Sequence, residues 1–266
     1  MTTEATVETG AWIRRFHPAP QAAHRLVCFP HAGGSASFYF PVSRTLAPHA
    51  DVLAIQYPGR QDRRHEPCVD TIPALADILV DELTPWCADR PVTFFGHSMG
   101  ASLAFEVASR LEERGTVLHG LFASGRRAPS TVRDERVHLK DDNGLIADIT
   151  RLSGTDTQVL GDPEVLRMIL PAVRADYRAA ETYRWTGGTK LSCPVAALTG
   201  DDDPQVTLDE ARAWGEHTSG PFDLKVFPGG HFYLNSQAAE VIAPPRWSRR
   251  SRTPVRWASG SWWCRT

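Results

Sequence analysis

Val92-Thr93-Phe94-Phe95-Gly96-His97-Ser98-Met99-Gly100-Ala101 is the stretch whose reading decides the fold. A short apolar run ends in Gly-X-Ser-X-Gly and passes at once into the helical pattern Ser102-Leu103-Ala104-Phe105-Glu106-Val107-Ala108. Strand, sharp turn and helix in that order form the context of a nucleophile elbow, which lifts a serine hydroxyl above the end of a sheet. Small-residue loops produce the five-residue pattern by chance, and the flanks separate the two cases. Gly96 and Gly100 fit because the turn needs strained backbone angles and a helix packed close beneath the serine. Ser98 is therefore the candidate nucleophile, and a plain surface turn is the competing reading.

A lone serine hydroxyl is a poor nucleophile, so the elbow predicts a base and a group that orients the base. The expected chain order is Ser, then Asp or Glu, then His. Cys193-Pro194-Val195-Ala196-Ala197-Leu198-Thr199 reads as a buried strand running into Gly200-Asp201-Asp202-Asp203-Pro204. Phe222-Asp223-Leu224-Lys225-Val226-Phe227 reads as the next strand, ending in Pro228-Gly229-Gly230-His231-Phe232. Both polar groups fall on loops after strands, where open α/β sheets place their chemistry.

Ten histidines compete for the role of base. His97 adjoins the serine and reads as a loop residue pointing elsewhere. His217, in a helix-to-strand connection, reads as a solvated surface group. His31 lies in a Gly-rich turn and is a candidate to line the site. His231 follows a late strand behind two glycines that would let its ring approach the serine, and it is the candidate base. The acid is one of three adjacent aspartates. Asp203 lies deepest in the loop with Pro204 restricting its backbone, and Asp201 is the fallback. Helix capping near Thr207 or an ordinary turn role are the alternatives.

Arg25-Leu26-Val27-Cys28-Phe29 reads as an early strand followed by Pro30-His31-Ala32-Gly33-Gly34-Ser35. In elbow-type serine hydrolases one oxyanion donor is the amide after the nucleophile and the other comes from this early loop. That assigns the backbone amides of Met99 and Ala32, with Gly33 and Gly34 keeping side chains out of the way. A Gly-rich connector without chemistry is the competing reading.

These segments, with Tyr57-Pro58-Gly59-Arg60, Ser124-Gly125-Arg126-Arg127-Ala128-Pro129 and Leu170-Pro171-Ala172-Val173-Arg174-Ala175-Asp176-Tyr177, occur in one order. Together they resemble the free-standing type II thioesterases of polyketide and nonribosomal peptide synthesis, over about residues 11 to 243. The resemblance implies an α/β-hydrolase fold with a mostly parallel central sheet flanked by helices. It implies Ser98, Asp203 and His231 as a triad, and carrier-protein domains as partners whose pantetheine arm bears the acyl group. The implied task is editing, the removal of stalled or wrongly decarboxylated acyl groups, with no metal or redox cofactor. Residues 130 to 188, largely helical in pattern, would form a mobile lid over the acyl passage. Met168, Leu170 and Tyr177 are candidates to line it, against packing within the lid itself. Arg126, Arg127 and the Arg60-Arg63-Arg64 cluster are candidates to dock an acidic carrier, against an ordinary solvated surface.

Length and composition fit one domain, residues 1–243, with 266 residues in all. A net charge of −2 and a pI near 6.5 give no reason to expect nucleic-acid or membrane partners. A polar N-terminus lacks the apolar core of a signal peptide, and no apolar run reaches the length of a membrane span. Five scattered cysteines read as thiols of a reducing compartment, not as a disulfide framework or metal site. A cytoplasmic monomer is expected.

Strands at Asp51–Gln56 and Leu118–Ser124 and an amphipathic helix from Ile72 to Trp86 complete an alternation that favours a mostly parallel sheet covered on both faces. Residues 244–266 do not fit. They hold four tryptophans and six arginines without period, and Pro244-Pro245 would stop a helix. Their composition is what a GC-rich reading frame yields when shifted. Three other readings compete. One is an esterase of small oxygen esters. Another is a chain-releasing or macrocyclising thioesterase, which normally follows a carrier domain where this chain opens on its own methionine. The third is a catalytically idle protein that binds synthase domains.

Overall fold

A computed structural model describes residues 10–153 and 163–242. Among these, seven strands form one sheet: β1 (Ile13–Arg14), β2 (His24–Phe29), β3 (Ala50–Ile55), β4 (Val92–His97), β5 (Gly120–Ser124), β6 (Val195–Gly200) and β7 (Phe222–Phe227). Their order is β1-β3-β2-β4-β5-β6-β7. β1 pairs antiparallel with β3, and the other pairs are parallel.

A parallel sheet covered on both faces needs strands that are apolar on both sides, and β2 shows how that is met. Leu26 and Cys28 enter one apolar cluster, Val27 and Phe29 the other, as the two-residue period dictates. Each fully buried aliphatic or aromatic side chain in these clusters contributes about 1.5–3 kcal/mol.

Helices α1 (Phe40–Leu46), α2 (Ile72–Leu83) and α3 (Met99–Glu113) cover the sheet. In α2, Ile72, Leu75, Ala76, Leu79, Val80 and Leu83 are buried, a stripe at three- and four-residue spacing. Thr71 caps it, its side chain accepting Ala74 N–H. The sequence pattern extends this helix to Trp86. It stops at Leu83 and tightens into a 3₁₀ turn, Thr84–Cys87, where Pro85 has no N–H to continue the α ladder.

The chain runs from β2 outward to β3 and then returns to β4 on the other side of β2. That reversal places the loops after β2 and β4 at a topological switch point, the usual crevice of an open α/β sheet. Between β5 and β6 the chain inserts α4 (Asp142–Ser153) and α5 (Pro163–Thr182), within the expected 130–188 interval. α6 (Leu208–Arg212) follows β6 and is capped by Thr207, whose side chain and Glu210 form a reciprocal capping box. The cap is thus a threonine, and the three aspartates before it are free for other roles. The tail 244–266 and the N-terminal nine residues lie outside the described residues.

Candidate active site

Ser98 sits between β4 and α3 with φ 55° and ψ −120°. This sparsely populated conformation costs of order 1–3 kcal/mol for a residue with a Cβ, and the surroundings must enforce it. The strain falls on the serine itself, while the flanking glycines make room. A Cβ on Gly100 would lie 2.1 Å from the Phe29 carbonyl oxygen, and one on Gly96 2.2 Å from the Gly100 oxygen. Ser98 N–H donates to Ser124 O at 2.8 Å, anchoring the turn to β5.

His231 stands on the loop after β7 with its ring 3% exposed. Its Nε2 lies 3.0 Å from Ser98 Oγ, and its Nδ1 lies 3.0 and 2.9 Å from the two oxygens of Asp203. With the carboxylate accepting from Nδ1–H, Nε2 is left as an acceptor for the serine hydroxyl. Asp203 Oδ1 also accepts Gln205 N–H at 2.8 Å. Asp201 and Asp202 are exposed. Asp201 Oδ1 accepts Gly229 N–H at 2.8 Å, so the fallback acid ties two loops together away from the imidazole.

The loop after β2 presents the other side of the site. Gly34 N–H donates to His31 O at 2.9 Å, and Gly33 has φ +78°, as a type II turn requires of its third residue. Ala32 occupies the turn's second position. Met99 opens α3, where an N–H has no partner within the helix and the helix dipole favours negative charge.

His97 is not a loop residue: it ends β4 and is fully buried. Its ring centroid is 5.1 Å from that of His231, and its Nδ1 is hydrogen-bonded at 2.9 Å to Ser124 Oγ. Ser124 Oγ in turn is 2.6 Å from Tyr233 OH. Burial, with His231 and His31 nearby, pushes the His97 imidazole well below its usual range, so it is neutral. His31 lies beside this group, edge-on to Phe38 and Phe232, and burial lowers it to about 3. The His97–Ser124–Tyr233 chain left no trace in the sequence, because its members lie 27 and 109 positions apart.

His217 is no surface group. It is 2% exposed, held against Trp185 and Phe105 with Nε2 2.9 Å from Ser130 Oγ, because the turn after α6 folds it under aromatic cover. Met168 is 56% exposed. Leu170 and Tyr177 pack with Leu145 and Val173 in a cluster belonging to the insertion, so helix-on-helix packing accounts for both. Of the arginines, Arg60, Arg63 and Arg127 are buried in ion pairs with Asp176, Glu66 and Glu135. Arg126 donates to Ser102 Oγ and Ala180 O at 2.9 and 2.8 Å. None of these four forms a free basic surface, whereas Arg64 is exposed.

The family model described as Thioesterase domain matches residues 24–244. The chain is 55% identical over 251 residues to a probable cadicidin biosynthesis thioesterase of Streptomyces griseus, covering 92% of this chain and 69% of that one. It is 55% identical over 236 residues to thioesterase PikA5 of Streptomyces venezuelae, covering 88% and 84%. The solved structure of BorB, a type II thioesterase from the borrelidin biosynthetic cluster, superposes with a TM-score of 0.84 at 54% identity, covering 90% and 97%. With an elbow serine, a late-strand histidine and an α/β-hydrolase sheet already in place, these matches settle the affiliation: the chain belongs to the thioesterase family.

Proposed function

We propose that the chain hydrolyses acyl thioesters carried on the phosphopantetheine arm of carrier proteins, clearing stalled or aberrant acyl groups from polyketide or nonribosomal peptide assembly. The observation that supports it most is the continuous hydrogen-bonded chain Ser98–His231–Asp203 at the head of a strained elbow. The names of the relatives supply the substrate class, and they favour thioesters over small oxygen esters.

Ser98 Oγ attacks the thioester carbonyl while His231 Nε2 takes its proton. Asp203 holds the imidazole in the Nδ1–H tautomer and stabilises the imidazolium that forms. The amides of Ala32 and Met99 receive the developing oxyanion. His231 returns the proton as the pantetheine thiol departs. Water, activated by the same imidazole, then releases the acid from the acyl-serine. Every step uses side chains and amides of this chain, so the reading needs no metal or redox cofactor. His31 lines the approach to His231, and the α4–α5 insertion acts as a lid over the acyl group. The enzyme works as a cytoplasmic monomer that docks an acidic carrier.

The test is hydrolysis of an acyl carrier protein loaded with acetyl, propionyl or butyryl groups, beside an oxygen ester of matched acyl chain. Faster turnover of the carrier thioester, lost at least a thousandfold in Ser98→Ala, is the expected result. Preference for the oxygen ester, or full activity in Ser98→Ala, overturns the reading.

A further inference from the structure

Three stretches far apart in the chain meet at one buried ion pair. The side chains of Arg60 and Asp176 are 9% and 2% exposed. Arg60 Nη1 and Nη2 donate to Asp176 Oδ2 and Oδ1 at 2.5 and 2.8 Å, a two-pronged fork. The same Oδ2 accepts Gly33 N–H at 2.7 Å, and Arg60 Nη1 also donates to Gly34 O at 3.0 Å. Tyr57 lies 5.2 Å beneath the guanidinium and donates its hydroxyl to Pro30 O at 3.1 Å. The loop after β2 is thus gripped at Pro30 O, Gly33 N and Gly34 O. None of these bonds uses Ala32 N–H, the amide between the gripped positions.

Stability alone does not account for the pair. Removing two ions from water offsets most of their attraction, so apolar residues of similar volume would hold α5 here about as firmly. Apolar residues cannot accept Gly33 N–H or donate to Gly34 O. A carboxylate alone could accept that N–H, but its charge one residue from Ala32 would oppose a forming oxyanion. The guanidinium neutralises it, leaving an acceptor without net charge.

We propose that Arg60 and Asp176 are a positioning pair that locks the His31–Gly34 turn so that Ala32 N–H meets the oxyanion, and that makes this geometry depend on α5 being seated. The inference rests on the reading of Ala32 as an oxyanion donor. Asp176 lies on α5, so the carboxylate that Gly33 needs arrives only with that helix. The Tyr-Pro-Gly-Arg segment and the α5 segment, conspicuous in the sequence without an evident task, are then two halves of one device.

The test compares wild type, the double variant Arg60→Met/Asp176→Leu, and Arg60→Lys, each at known active-site concentration. Readouts are kcat and KM on an acyl-loaded carrier protein, with Tm measured alongside. Because an oxyanion donor acts mainly in the transition state, kcat in the double variant is expected to fall roughly tenfold or more, with KM within about twofold. Arg60→Lys keeps the charge but not the fork, and its kcat falls by less. Unchanged kcat in the folded variants, or a loss confined to KM or Tm, overturns the proposal. If the double variant does not fold, Arg60→Lys decides alone, and wild-type kcat there overturns it. A wild-type protein inert on thioesters instead removes the reading of the site, and the pair's role with it.

Discussion

Asp203 shows how one position among three identical residues becomes the functional one. Asp201 N–H and Asp202 N–H donate to Phe227 O and Gly229 O at 2.8 and 3.0 Å, extending the β6–β7 pairing past the strand ends. Only after these two links does the chain turn inward, and Asp203 is the residue that enters the protein with its side chain fully buried. In Asp203→Asn the amide fits the space but favours the wrong imidazole tautomer. Its kcat is expected to fall by about 10³–10⁴ with Tm little changed. Asp201→Asn keeps an oxygen for Gly229 N–H and is expected to stay within a few-fold of wild type. Steady-state kinetics on both variants checks the assignment, and equal losses would sink it.

At the scale of the element, the elbow works because α3 starts almost in contact with the end of β2. Gly100→Ala drives a Cβ into the Phe29 carbonyl, a backbone atom that cannot move without disturbing the sheet. A loss of about 3 kcal/mol or more is expected, read as a lowered urea midpoint. Thr207→Ala serves as the contrast. It removes the 3.2 Å bond in which Thr207 Oγ1 accepts Glu210 N–H at an exposed helix start, while Thr207 N–H keeps its bond to the Glu210 carboxylate, and is expected to cost about 1 kcal/mol while kcat stays unchanged. A Gly100→Ala variant as stable as Thr207→Ala would show that the elbow tolerates a looser approach than the distances imply.

Across the whole molecule, buried and half-buried neutral histidines tie stability to pH. Burial, then His119, lowers His24 to about 4. Burial lowers His31 to about 3 and His97 well below its usual range. The unfolded chain takes up these protons near pH 6.5 and the folded one only well below, so the unfolded state binds more protons in between. Stability from these groups is therefore complete above about pH 6.5 and is lost as pH falls toward 4 and 3. At pH 5 a fully buried histidine kept neutral, as His97 is, costs about 2 kcal/mol, and the half-buried His24 costs less because solvent screens its charge. Tm is expected to be about 4 °C or more lower at pH 5 than at pH 7. A Tm that is flat or higher at pH 5 would contradict the burial of these rings.

The sequence by itself determined whatever neighbours along the chain decide. The two-residue alternation of β2, the apolar stripe of α2, the Thr207 cap and the strand-turn-helix around Ser98 are all set by residues within a few positions of one another. Chain order then placed the acid and base after the right strands. Tertiary structure alone decided which side chains meet. Ser98 and His231 are 133 positions apart, Arg60 and Asp176 116, and Gly33 and Asp176 143. The same distance in sequence hid the burial of His97 and His217, and it hid the fact that Met168 faces outward while Leu170 faces the insertion's own cluster. Local periodicity marks a residue as apolar or polar, but the partner it meets depends on how strands and helices are ordered in space, and that order is fixed by packing the whole sheet at once.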